Sequence, residues 1–261
     1  MSLRHILILE AYLEKLPYHP EDETIEDLQL AGFSLIQKKH AFRYGMDSVL
    51  LASFADIQPK DIVCDFGTGN GILPLLLIGR GKGSRFHAID INGEAAELAR
   101  RNVELNHLED RITVIHADVS ETPSLLGSCS IDSIVCNPPY SLPSAGLSSP
   151  NMQKAIARNQ KSDTIDKMFS AAFMILKGKG KLFLVFPAPR MLHIMKKLQQ
   201  HHLEPKRIRM VYPTLKKPAN LVLIEAVKDA KPMIHPLPPL IIYQENGDLT
   251  NELKSVYHIQ E

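Results

Sequence analysis

The glycine-rich stretch DFGTGNG, residues 65–71, most constrains the fold of this chain. It directly follows the apolar run DIVCDF and opens a segment with helical spacing. A glycine turn between a buried strand and a helix is typical of α/β units that bind a nucleotide at the start of the helix. The same order of strand then helix recurs along the chain, which predicts a parallel sheet covered by helices.

Seven apolar runs are predicted to be the strands of this sheet. The last two lie close together in sequence and can pair antiparallel at one edge. We therefore expect an α/β, doubly wound, Rossmann-like seven-stranded sheet, mostly parallel with one antiparallel edge strand. The predicted strands cover residues 61–66, 84–90, 111–117, 131–137, 180–187, 207–213 and 221–227.

The chain is predicted to divide into one main domain and two additions. Residues 1–26 are interpreted as an N-terminal extension ending in an exposed acidic linker, EDETIED. Residues 27–230 form the main domain, which begins with a hairpin that feeds the short helix MDSVLLASFA. Residues 231–261 are proline-rich and are expected to form an arm packed on the domain.

The glycine turn has the spacing G-x-G-x-G. Glycine permits sharp turns and close approach of a ligand to the backbone. Ile72 stands where a dinucleotide fingerprint has its third glycine. This favours a cofactor that presents a ribose and an amino acid over a pyrophosphate, although a purely structural turn remains open.

Two aspartates follow the next two predicted strands. Asp90 can accept hydrogen bonds from both hydroxyls of a ribose, while the neighbouring Ile91 can cover an adenine face. Asp118, followed by Val119, can accept from an exocyclic amine. A single aspartate is more often a helix cap or turn former, but both lie at carboxyl ends of strands, where open α/β sheets assemble their sites.

The fourth strand ends in the motif Asn137-Pro138-Pro139-Tyr140. Proline fixes φ and lacks an N–H, so the Pro138 carbonyl is held in place. That carbonyl and the Asn137 side-chain oxygen can accept both hydrogens of an –NH₂ group. Tyr140 can then stack on the planar group that carries the amine. A proline turn that merely ends a strand is the alternative.

Basic residues are concentrated in one part of the chain. Although the formal net charge is +1, residues 151–217 contain 15 Lys and Arg against three acidic residues. Such a one-sided segment suits a polyanionic partner, whereas scattered lysines usually indicate a solvated helix face. The candidate contacts are Arg158, Lys206, Arg207, Arg209, Lys216 and Lys217.

These motifs, in this order, resemble those of class I S-adenosylmethionine-dependent methyltransferases. From about residue 27 onward, the segments FRYGMDSVLLASF, EPKRIRMVYP and PLIIYQENGDLTNELKSVY are similar to the bacterial tRNA1(Val) adenine-N6-methyltransferase family. One departure is Asn159-Gln160, where that family usually has His-Glu.

The resemblance implies N6-methylation of adenine in a tRNA anticodon loop, with S-adenosyl-L-methionine as cofactor. It implies that residues 137–140 hold the adenine, that the basic segment binds tRNA, and that no metal is needed. It also implies that the segment before the first strand closes over the cofactor. The implied cofactor residues are Arg43, Tyr44, Asp47, Asp65, Gly67, Thr68, Gly69, Asn70, Gly71, Asp90, Ile91, Asp118, Val119 and Asn137.

Other functions stay open at this point. A glutamine-amide protein N5-methyltransferase would use the same motif, and a non-catalytic RNA-binding module could retain the fold. A nicotinamide dehydrogenase is disfavoured by Ile72. The run HILILEAYL is too short to span a bilayer, and the three cysteines form no C-x-x-C motif, so we expect a cytoplasmic protein. The sequence leaves a monomer and a weak dimer both open.

Overall fold

The computed structural model describes residues 18–39, 45–138 and 164–257. Strands and helices alternate through most of this part of the chain. In chain order the elements are β1 (Glu23–Asp27), β2 (Ser34–Lys38), α1 (Met46–Phe54), β3 (Ile62–Phe66), α2 (Ile72–Gly79), β4 (Arg85–Asp90), α3 (Gly93–Leu105), β5 (Ile112–His116), α4 (Thr122–Leu126), β6 (Ile131–Cys136), α5 (164–175), β7 (Leu176–Pro187), α6 (Met191–Gln200), β8 (Leu203–Tyr212), β9 (Leu221–Lys228), β10 (His235–Pro236), β11 (Leu240–Ile241) and α7 (Asn251–Val256).

The main sheet has the strand order β10-β8-β9-β7-β6-β3-β4-β5, with β11 also paired to β8. All seven predicted strands are present, and β3 to β7 are parallel. The predicted antiparallel strand is confirmed as β9, but its predicted position at the edge is wrong. It lies between β7 and β8 and pairs antiparallel with both. After β8 the chain reverses direction, and β9 occupies the position between β8 and β7.

Helices cover both faces of the sheet, which confirms the doubly wound arrangement. Alternate residues of β3 show the division, because Val63 joins one hydrophobic cluster whereas Cys64 and Phe66 join the other. The first cluster includes residues of α1, α2 and α3, and the second includes residues of α5 and α6. Such double burial explains why the central strands are apolar runs without alternation.

The hairpin β1–β2 is a separate two-stranded sheet that lies on α3. Glu23 in β1 has only 3% of its surface exposed. Its carboxylate forms an ion pair with Arg101 of α3, at 2.5 Å. The prediction of an exposed acidic linker is therefore wrong for Glu23–Asp27, which form strand β1. Pairing with β2 and the buried positive charge of Arg101 allow this acidic sequence to be part of the fold. Residues 1–17 lie outside the described part of the chain.

After β9 the chain follows the outer edge of the sheet. The short strands β10 and β11 both pair parallel with β8. Leu240 of β11 and Leu253 and Val256 of α7 join the first hydrophobic cluster. The Arg209 side chain donates to the carbonyl of Pro238 and to Glu252. Among the described residues, no helix has the length and apolar character needed to cross a membrane.

Candidate cofactor and substrate site

The glycine loop lies between the carboxyl end of β3 and the start of α2. Gly67, Gly69 and Gly71 have φ values of +75°, +59° and +82°, which side chains other than glycine rarely adopt. A Cβ at Gly67 or Gly69 would have nothing within 4 Å. The amides of Gly67 and Thr68 both donate to the carbonyl of Ile89 on β4. The loop is therefore anchored at its base and open above its first two glycines.

Asp90, at the end of β4, ties two loops together. Its carboxylate oxygens accept hydrogen bonds from the backbone amides of Gly69 and Asn92, each at 2.8 Å. The residue is 9% exposed, and each carboxylate oxygen has further lone pairs. Asp90 thus shapes the glycine loop and can still accept hydroxyl groups from a ligand.

Ile91 projects into solvent beside Asp90, with 67% of its surface exposed. Its carbonyl lies 3.0 Å from Nε2 of His116, the last residue of β5. The carbonyl is an acceptor, so the imidazole nitrogen donates. An exposed isoleucine whose backbone is held in this way can cover an aromatic ligand.

Asp65 is fully buried at the end of β3, and neither of its carboxylate oxygens has a hydrogen-bond partner within the described protein. Burial raises the pKa of Asp65 to about 7; the nearby Thr68 hydroxyl, which lies outside hydrogen-bonding geometry with the carboxylate, lowers it, and the Asp90 carboxylate raises it further. A buried carboxylate without donors is costly and is commonly found at functional sites.

Asp118 lies after β5, as the sequence indicated, and forms a helix cap. One oxygen accepts from the backbone amide and the hydroxyl of Ser120, and Glu121 accepts from the amide of Asp118. The Ser120 hydrogen bonds lower the pKa of Asp118. Val119 packs against the second hydrophobic cluster. The contact of Asp118 with adenine stays a prediction.

Asn137 follows β6, at the same sheet edge as the glycine loop. Its side-chain Nδ2 donates to the hydroxyl of Ser48 at 3.0 Å. Ser48 is buried in the first turn of α1, next to Asp47. The predicted residues Arg43, Tyr44, Pro139 and Tyr140 lie outside the described residues. The structure therefore brings together the glycine loop, Asp90 and Asn137, with α1 as a support.

Sequence reasoning missed two supporting residues, Ser48 and Asn102. Ser48 lies in a segment chosen for its resemblance, but its contact with Asn137 joins residues 89 positions apart. Asn102 of α3 donates to the carbonyl of Asn70 in the glycine loop at 2.9 Å. The available signal was the spacing of Asn102 and Asn106, because residues four apart share a helix face.

The candidate RNA contacts occupy different environments. Arg207 lies over the ring of Phe54 and forms an ion pair with Glu225, at 3.0 Å. Arg209 holds the C-terminal segment, as described above. Both guanidinium groups are therefore engaged within the fold.

The lysines of this set lie nearer to solvent. Lys206 donates to the carbonyl of Lys231, and Lys216 pairs with Glu245, where both side chains are largely exposed. Lys217 is exposed in the loop after β8, at the carboxyl edge of the sheet. Arg158 lies outside the described residues, and RNA contact by all six residues stays a prediction. In the described ranges, no cluster of three or more His, Cys, Asp or Glu could hold a metal ion.

The sheet order and the glycine loop define a methyltransferase fold. A predicted O-methyltransferase from Agrobacterium tumefaciens superposes with a TM-score of 0.65 at 22% identity, over 82% of this chain and 96% of that chain. The family model described as "Methyltransferase small domain" matches residues 44–207. The chain belongs to this family, which confirms the resemblance seen in the motifs.

Several curated relatives have the name tRNA1(Val) (adenine(37)-N6)-methyltransferase, among them proteins from Porphyromonas gingivalis and Aliivibrio salmonicida. The relative from Porphyromonas gingivalis is 33% identical over 165 residues, covering 61% of this chain and 64% of the relative. The relative from Aliivibrio salmonicida is 28% identical over 202 residues, covering 77% of this chain and 83% of the relative. The match thus spans less than two thirds of the P. gingivalis protein.

Proposed function

We propose that this protein transfers a methyl group from S-adenosylmethionine to N6 of an adenine in RNA, in the anticodon loop of a tRNA of the tRNA1(Val) type. The observation that carries the proposal is the placement of Asn137 beside the glycine loop, with its amide bonded to Ser48. The names of the two relatives support tRNA as the substrate. A tRNA substrate implies that the protein acts in the cytoplasm.

The residues of the site fit the cofactor. The open space above Gly67 and Gly69 admits a ligand close to the backbone. Asp90 can accept the ribose hydroxyls while it holds the loop, and Ile91 can cover the adenine of the cofactor. Within the described part of the chain no group donates to the buried carboxylate of Asp65, which could accept a hydrogen bond from the ammonium group of the cofactor. When bound, S-adenosylmethionine supplies an electrophilic methyl group.

The chain positions the target amine rather than activating it with a strong base. Strands β6, β3 and β4 are neighbours, so Asn137 and Asp90 lie roughly 10 Å apart across the sheet edge, with the glycine loop between them. Nδ2 of Asn137 donates to Ser48, so Oδ1 is the acceptor of this amide that would receive one amine hydrogen, and the Pro138 carbonyl would receive the other.

Correct placement of the amine and the methyl group accounts for much of the rate acceleration in such a transfer, because oriented reactants avoid a large entropic cost. The methylated amine then loses its proton to solvent. An adenine must leave its stack for its amine to reach Asn137, as bases do in enzymes that modify them. Tyr140 would stack on the displaced base, and Lys217 and the other basic residues would contact the backbone of the RNA.

Incubation with labelled S-adenosylmethionine tests this proposal. Total tRNA, total rRNA and a protein extract are supplied separately, and the products are digested to nucleosides or amino acids. We expect N6-methyladenosine from tRNA. Label in N5-methylglutamine would instead assign a protein substrate. If the protein neither transfers a methyl group nor binds the cofactor, a non-catalytic role would be assigned.

A further inference from the structure

We propose that Asn102 is a positioning residue for the cofactor, holding the glycine loop in its binding geometry and coupling that loop to the docking of hairpin β1–β2. The inference rests on the proposed function, since it assigns a support to the cofactor site. Asn102 lies on α3 and has no exposed surface. It therefore acts on a ligand only through the backbone that it holds.

The side chain of Asn102 bridges two separate parts of the chain. Its Nδ2 donates to the carbonyl of Asn70 at 2.9 Å and to the carbonyl of Ile36 on β2 at 3.0 Å. Its Oδ1 accepts from the backbone amide of Ile36 at 2.6 Å. Because one partner is a donor and two are acceptors, the orientation of the amide is defined by its partners.

The peptide unit between Asn70 and Gly71 depends on this contact. Its carbonyl points to Asn102, while its N–H donates to the carbonyl of Thr68 at 3.0 Å. Gly71 has a φ of +82° and lacks a side chain that would resist rotation of this peptide unit. Without Asn102, the Asn70 carbonyl loses this donor, and the glycine loop from Gly67 to Gly71 can rearrange.

The side chain of Asn102 therefore contributes both to the docking of hairpin β1–β2 and to the geometry of the glycine loop. The hairpin precedes residues 40–44 and α1, which carries Ser48, the partner of Asn137. Coupling between two sites is reciprocal, so a ligand that stabilises the loop must also stabilise the docked hairpin. Asn102 thus connects cofactor binding to the docking of the hairpin that precedes α1 in sequence.

Asn106 provides a matched control on the same helix. Its Oδ1 accepts from the amide of Ser34 at 2.9 Å, and its Nδ2 donates to the Ser34 carbonyl at 2.7 Å. It therefore holds β2 in the same way, two residues earlier in the strand. Among the described residues it also donates to the carbonyl of Asn102 at 2.7 Å, within α3, and none of these contacts reaches the glycine loop.

The test is titration calorimetry with S-adenosylmethionine on the full chain, comparing wild type, Asn102→Ala and Asn106→Ala. Both substitutions lose contacts to β2, so we expect both to lower the melting temperature. We expect Asn102→Ala to weaken cofactor binding by about tenfold, and Asn106→Ala by less than about twofold. In steady-state kinetics, the KM for the cofactor should rise for Asn102→Ala while kcat at saturating cofactor changes little.

Equal losses of affinity in the two variants, or no loss in either, would overturn the role of Asn102 but leave the proposed function intact. Absence of binding by the wild type would instead contradict the proposed function and this inference with it. Hydrogen exchange of the wild type decides the matter if Asn102→Ala does not fold. We expect the cofactor to slow exchange at Ile36 as well as in the glycine loop, whereas protection confined to the loop would contradict the coupling.

Discussion

The side-chain amide of Asn137 donates a hydrogen bond of 3.0 Å to the hydroxyl of Ser48, which lies buried in the first turn of α1. A residue at the end of β6 is thus oriented by a helix that precedes the sheet in sequence. An asparagine amide can rotate by half a turn, which exchanges its donor and its acceptor. The hydrogen bond to Ser48 therefore helps to determine whether Nδ2 or Oδ1 of Asn137 points towards a substrate.

Replacing Ser48 with alanine should lower kcat for methyl transfer by roughly threefold to tenfold, since a neutral hydrogen bond contributes about 1 kcal/mol. The dissociation constant of S-adenosylmethionine should not change, because Asn137 acts on the target amine. Steady-state kinetics at saturating substrates and calorimetry measure the two quantities.

Ser53→Ala is the control for this substitution, because it removes a hydroxyl from the same helix away from Asn137. Ser48→Thr retains a hydroxyl and should recover part of the lost rate. An unchanged kcat in Ser48→Ala, or a loss reproduced by Ser53→Ala, would show that Ser48 does not orient the amide.

Asp65 should make the folded protein less stable as the pH rises from about 4 to 7. Its pKa is about 7 in the folded protein, compared with an ordinary value of 3.8. In this interval the unfolded chain has lost the proton that the folded protein keeps, so the free energy of unfolding falls by about 1.4 kcal/mol per pH unit and about 4 kcal/mol in total.

Asp65→Asn removes this titration. Urea denaturation of both proteins at several pH values should show the variant gaining stability relative to wild type between pH 4 and 7, with a constant difference above pH 7. A constant offset produced by the substitution does not affect this comparison. Parallel curves across the whole interval would mean that Asp65 titrates normally.

Asp90→Ala should weaken S-adenosylmethionine binding by on the order of a hundredfold. The substitution removes the acceptor for the amides of Gly69 and Asn92, and hydrogen bonds to charged groups contribute about 1.5–3 kcal/mol each. Calorimetry measures the change, and Glu97→Ala on the exposed side of α3 is the control. If Asp90→Ala binds S-adenosylmethionine with an affinity within threefold of wild type, Asp90 does not contribute to cofactor binding.

Lys217 and Arg209 should behave differently when each is replaced with alanine. Lys217 is exposed, so its loss should weaken tRNA binding and lower the slope of log affinity against log salt by about 1, with little change in stability. Arg209 holds Pro238 and Glu252, so its loss should mainly lower the melting temperature.

Filter binding at several salt concentrations, paired with thermal unfolding, separates the two effects. An unchanged salt slope for Lys217→Ala would exclude a phosphate contact at this position. A full loss of tRNA binding by Arg209→Ala without destabilisation would reassign that residue from the fold to the RNA interface.

Local sequence patterns predicted the strands well and placed the glycine loop, Asp90 and Asn137 at one edge of the sheet, whereas the roles of these residues stay predictions. The runs ending at Phe66, Asp90 and Cys136 are strands, because continuous apolar character and glycine turns are local signals. The position of β9 inside the sheet could not be predicted, because strand order depends on pairing between distant segments. The Glu23–Arg101 ion pair and the Ser48–Asn137 contact were missed for the same reason.

Charge patterning was the least informative signal. Arg207 and Arg209 belong to a basic cluster in the sequence, yet in the fold one lies over Phe54 and the other holds the C-terminal segment. The two arginines are two residues apart on one face of β8, and other parts of the chain cover that face, so a cluster in sequence need not form an exposed surface. Lys217, in a loop, retains the exposure that the pattern suggested.

Methyl transfer to tRNA by Asn137→Ala tests the central claim most directly. Wild type and variant are incubated with labelled S-adenosylmethionine and total tRNA, and label in N6-methyladenosine is counted after digestion. We predict N6-methyladenosine from the wild type and a loss of at least about a hundredfold in the variant, with the dissociation constant of the cofactor within about threefold of wild type. Full activity of Asn137→Ala would contradict the account.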